Sequence, residues 1–125
     1  MVRPALGALA VGCLVLLGVA CGAQSVPVPA STEGIVMDGR GLYAANCARC
    51  HGGDLKGTTL GPPLLDAIYR RDHHADAAFA IAVRNGVRPH HWNFGPMPPV
   101  VGVTEQQVAL ITAFVRFEQE SVGIR

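Results

Sequence analysis

Four cysteines, seven aromatic side chains and a charged fraction of 15% are all that the 125 residues contain. Disulfide-stapled secreted domains carry more cysteines at wider spacing, so that class is excluded. The net charge is +1, and without Arg3 nine basic residues face nine acidic ones, which argues against nucleic acid as a partner. No segment of the folded part alternates apolar and polar residues as a half-buried strand would, and no internal repeat is present. The length suits one domain and is too short for two ordinary ones.

Charge is missing altogether between Arg3 and Glu33. After "MVR" the run "PALGALAVGCLVLLGVAC" has the form of a basic n-region followed by an apolar h-region. Its apolar part, Ala5 to Ala20, is shorter than the roughly 20 residues a spanning helix needs, so residues 1–20 are expected to be an export signal. The end of this run, Ala20 before Cys21, resembles the lipobox of bacterial lipoproteins. That resemblance implies a lipid anchor on Cys21 as the new N-terminus; cleavage near Ala20 or Ala23, or an uncleaved anchor, are the alternatives. Cys13 reads as an apolar filler. Residues 21–35, with "GAQSVPVPASTEG", read as a flexible linker, 36–120 as the folded domain and 121–125 as a tail. The expected location is the periplasm or the outer face of the cytoplasmic membrane.

The domain is expected to be all-α, with three main helices. The first is placed from about Asp38, as N-cap, to Cys47, with Leu42, Tyr43 and Ala45 on its apolar side. The second, in "DHHADAAFAIAVRNG", has apolar residues at 75, 78, 79, 82 and 83 and a stop at Gly86. The third starts at Thr104, with Gln107 completing a capping box, Val103 and Val108 forming a staple, and Leu110, Ile111, Phe114 and Phe117 as its apolar face. Two proline-stiffened loops, 57–65 and 86–100, lie between them. So few aromatic side chains, with two long loops and no strands, give a thin core that a covalently attached apolar macrocycle would fill.

The segment "NCARCHGG" carries the remaining cysteines, Cys47 and Cys50, with His51 directly after them. A C-x-x-C pair serves as a redox dithiol, as half a zinc site, or as the attachment point of c-type haem, in which two thioether bonds hold the macrocycle and the following histidine binds iron. A dithiol of the thioredoxin kind needs a βαβ surround and has no use for the histidine. Zinc would need two distant histidines at spacings unlike those of zinc fingers. Haem uses all three residues. Met97, in "GPMPPV", is a candidate second axial ligand, 46 residues beyond His51 and held by Pro96, Pro98 and Pro99.

With "GLYAANCARCHGG", "GPPLL", "NG" and "GPMPP" in that order, residues 36–118 resemble a class I, single-haem cytochrome c. The resemblance implies a small cytochrome c fold whose loops wrap one covalent haem c. It implies that Gly39 and Tyr43 pack against Ile111 and Phe114, and that the Pro62 carbonyl accepts the other N–H of the His51 ring. His51 and Met97 would be the axial ligands, and the function a one-electron carrier rather than an enzyme, working with a reductase or oxidase partner. A haem enzyme or sensor with an exchangeable distal ligand is the alternative. Two histidine pairs, His73-His74 and His90-His91, fall outside this pattern; they are open to a role as alternative iron ligand or as ligands of another metal, although solvated surface histidines are the simpler reading. Trp92, Arg88 and Asn93 are candidates to bond a haem propionate, against a plain covering role for the loop.

Overall fold

The computed structural model describes residues 31–125; the expected export signal, Cys21 and most of the linker lie outside the described residues. Four α-helices follow in order, α1 Thr32–Asn46, α2 Ala48–His51, α3 Asp76–Asn85 and α4 Glu105–Ser121, with a 3₁₀ turn at Ala67–Tyr69 between α2 and α3. Among the described residues there is no strand, and Val87 and Met97 form an isolated antiparallel bridge. The expected all-α class is the one found.

α1 starts six residues before the expected Asp38, at Thr32, and absorbs the last residues assigned to the linker. The cap is Ser31, whose hydroxyl accepts from the Gly34 N–H at 3.1 Å, and Glu33 in the first turn suits the positive end of the helix dipole. Ile35 and Val36, half-buried, begin its inner face. Ala45, expected on that face, is exposed. The chain then kinks at Cys47, which ends α1 and also caps α2.

α4 begins as its sequence dictates: Thr104 and Gln107 form the reciprocal capping box, and Val103 and Val108 line one groove. Its buried side includes Val108, Ile111, Phe114 and Val115, whereas Phe117 is 49% exposed and does not belong to the core. α1 crosses this face where Gly39 lies against the Leu110 carbonyl and Phe114, and the Tyr43 and Phe114 rings meet at 5.4 Å between centroids. Leu55 and Leu64 complete the core cluster. α3 lies where its periodicity places it, yet none of its residues is fully buried.

One buried device has no counterpart in the sequence reading. Arg116, 4% exposed, donates to the carbonyls of Tyr69 and His74, to Gln119 and to Asp76, and Gln119 donates to the Leu64 carbonyl at 2.7 Å. A buried guanidinium is tolerable when its donors are matched in this way. The pair thus ties α4 to the whole connection between α2 and α3.

Desolvation pushes the Asp76 carboxyl up, but the Arg116 hydrogen bond and the charges of Arg71 and Arg116 prevail and hold it below its usual value. A depressed carboxylate pKa contributes stability above the unfolded value near 3.9 and loses it as pH falls through the folded value. Asp76→Asn should therefore flatten the acid limb of a denaturation-midpoint profile below about pH 4. An unaltered profile would show that this ion pair contributes nothing.

Candidate functional site

The cysteine–histidine segment occupies the joint between α1 and α2. The His51 and Cys50 N–H groups both bond to the Cys47 carbonyl, at 3.0 and 3.1 Å, so one tight turn gathers the two sulfurs and the imidazole. Both cysteines are free and half-buried. Burial, and then the neighbouring Cys50, push the Cys47 thiol up to about 11, so it stays protonated at neutral pH. An exchange-active dithiol needs a lowered pKa, which counts against the redox reading.

The chain after His51 folds back beneath the ring. Gly57 N–H bonds to the His51 carbonyl at 2.8 Å, and the Thr58 hydroxyl bonds to the Cys50 carbonyl at 2.7 Å. Leu55 makes the pivot at φ 61°, a left-handed conformation costing roughly 1–2 kcal/mol. Burial of its side chain, 2% exposed, offsets that cost by about 1.5–3 kcal/mol. Its carbonyl accepts from Leu64 N–H at 2.7 Å, which closes the loop. The glycines and Asp54 around Leu55 mark a turn in the sequence, but a left-handed leucine between them is unmarked, because that place would ordinarily fall to one of the glycines or to the aspartate.

This loop places the Pro62 carbonyl 2.9 Å from His51 Nδ1. A carbonyl only accepts, so Nδ1 carries the proton and the lone pair of the neutral ring sits on Nε2, the form that binds a metal. Tyr43 braces the same turn by donating to the Gly52 carbonyl at 2.7 Å. Burial, followed by Cys47 and Asp54, raises the pKa of that hydroxyl and keeps it a donor.

Met97 lies half-buried on the other loop, and its N–H and carbonyl both pair with Val87, at 3.0 and 2.9 Å. The backbone, as well as the flanking prolines, thus holds it. The bridge depends on Gly86: its φ is +73°, and a Cβ there would stand 2.4 Å from the Met97 carbonyl oxygen. Val100 N–H anchors the far end of the loop to the Val83 carbonyl on α3, at 2.8 Å. The Trp92 N–H donates to the Tyr69 hydroxyl at 3.2 Å and is taken up within the protein.

The four remaining histidines, two by two in the sequence, come together between the segment preceding α3 and the loop following it. Their rings form a continuous cluster with neighbouring centroids 4.2–6.0 Å apart. Partial desolvation, and then repulsion from His90, His74 and His73, lower the pKa of His91.

The residues present fit a covalently attached haem. Two free thiols sit one helical turn apart, beside an imidazole whose Nε2 is left as a donor atom. Among the described residues, no further His, Cys, Asp or Glu joins Cys47 and Cys50 in a group able to hold a metal ion, which disfavours the zinc reading. Such an arrangement defines a small helical protein built to bear haem. The chain matches the family model for cytochrome c over residues 36–117, about two thirds of its length, and belongs to that family. Membership implies covalently bound haem c and haem-based electron transfer, and family members are typically electron carriers. A search of curated proteins finds no significant match to the chain.

Proposed function

We propose that the protein is a single-haem electron carrier in which Cys47 and Cys50 hold haem c by thioether bonds and His51 and Met97 are the axial ligands of its iron. Haem, when bound, would supply an iron able to take up and give back one electron, and Met97 as one of its ligands would favour the reduced state. The chain's own residues hold the ligands ready. The Pro62 carbonyl orients His51 and makes Nε2 the donor, the Tyr43–Gly52 bond secures the turn that carries it, and the Val87 bridge carries Met97. Ligands held in place limit rearrangement between oxidation states, which suits transfer without bond making. The observation that carries this reading is the His51 Nδ1–Pro62 bond directly beside two free thiols.

The proposal extends to location and partners. The leader-like segment and Cys21 support export and tethering at a membrane surface, where the effective concentration of redox protein partners is raised. No helix among the described residues is long and apolar enough to cross a membrane. A nearly neutral chain should meet its partners with little long-range steering.

The test is the denatured mass and the oxidised and reduced spectra of protein made in a host that assembles c-type haem. The expected mass exceeds that of the polypeptide by one haem, and Cys47→Ser together with Cys50→Ser removes the covalent increment. A colourless protein with the bare polypeptide mass would overturn the proposal.

A further inference from the structure

We propose that His73, His74 and His91 form a binding site for a zinc-class divalent metal ion, separate from the haem-bearing cysteines and joining the segment before α3 to the loop after it. One donor atom from each of the three lies within 4.8 Å of the other two. His73 Nε2 and His91 Nε2 are 3.3 Å apart. A tetrahedral ion with metal–nitrogen bonds of about 2.0–2.1 Å spaces its ligands by about 3.3–3.4 Å, so these two nitrogens already stand at the separation of two ligands sharing one ion.

The third ligand is oriented from behind. His74 Nδ1 donates to the Ile68 carbonyl at 2.7 Å, which leaves Nε2 as the donor atom; a metal-binding histidine commonly has its second nitrogen fixed in this manner. The His74 carbonyl and the Tyr69 carbonyl both accept from buried Arg116, so this segment rests on the best-tied part of the core. The trio is all nitrogen, which selects zinc, copper or nickel over magnesium or calcium. Three ligands leave a fourth position for water or for His90, whose ring centroid is 4.2 Å from that of His91 and whose Nδ1 is engaged by the Arg88 carbonyl at 3.0 Å. The site draws only on residues outside the proposed haem ligands, so it stands or falls independently of them.

The experiment is a calorimetric titration of the full, haem-loaded protein, stripped with a chelator, using Zn²⁺ alone. One equivalent should bind, and His73→Ala or His91→Ala should each weaken binding by about a hundredfold or more, beyond the ~10–100-fold that loss of an outer-shell partner costs. Both side chains are exposed, so the variants should keep the haem spectrum of the parent. Cu²⁺ offered to the same protein should give an electron paramagnetic resonance spectrum split by three nitrogens, reduced in each variant. Failure to bind one equivalent of Zn²⁺, affinity unchanged in both variants, or a copper spectrum without nitrogen splitting would overturn the site.

Discussion

Gly39→Ala should destabilise the protein by about 3 kcal/mol, the upper part of the range for overpacking a tight contact. A Cβ at this position would stand 2.2 Å from the Leu110 carbonyl oxygen and 2.8 Å from Phe114 Cβ. The first of these is backbone, so rotating a side chain brings no relief and the two helices must move apart. That movement would also loosen the 5.4 Å Tyr43–Phe114 contact, and with it the support of Gly52 next to His51. Denaturant unfolding of the haem-loaded variant measures the loss. The same substitution at Gly41, where nothing lies within 4 Å, is the control and should be neutral or slightly stabilising. Equal midpoints for the two variants would remove Gly39 as the point of closest helix approach.

The second large effect is on the iron. Met97→Ala should abolish the methionine-to-iron absorption band and lower the reduction potential by on the order of 0.1 V, a modest part of the roughly 0.8 V that axial ligands span. The backbone bonds to Val87 involve no side-chain atom, so the loop should keep its course and the change report on ligation alone. Spectroelectrochemistry of the pair of proteins decides the matter. An unchanged band and potential would show that the ligand is some other group.

The parts of the molecule legible in the sequence are those decided locally. The start of α4 could be read because Thr104 and Gln107 satisfy each other within one turn. α3 could be read from its period and from Gly86. The start of α1 was hidden because its Ser31 cap stands in a stretch rich in proline, serine and threonine, and glycines at 34, 39 and 41 break up the apolar pattern. Arg116 and Gln119 look like ordinary surface residues; their partners at Tyr69, His74 and Leu64 are backbone carbonyls 42 to 55 residues away, which no local pattern marks.

The site divides along the same line. Cys47, Cys50 and His51 declare themselves by spacing, whereas the Pro62 contact came only through likeness to a family. The histidine pairs were visible as pairs, but His73 and His91 are 18 positions apart, and only the two turns around α3 make them neighbours.

The Val87–Met97 pairing has a consequence for how such a protein diversifies. Because the hydrogen bonds between residue 97 and Val87 are main-chain bonds, exchanging the side chain at that place breaks none of them, and proline alone would remove one by lacking the N–H. Position 97 is therefore an interchangeable socket: the donor it offers can be exchanged while the frame around it is inherited unaltered.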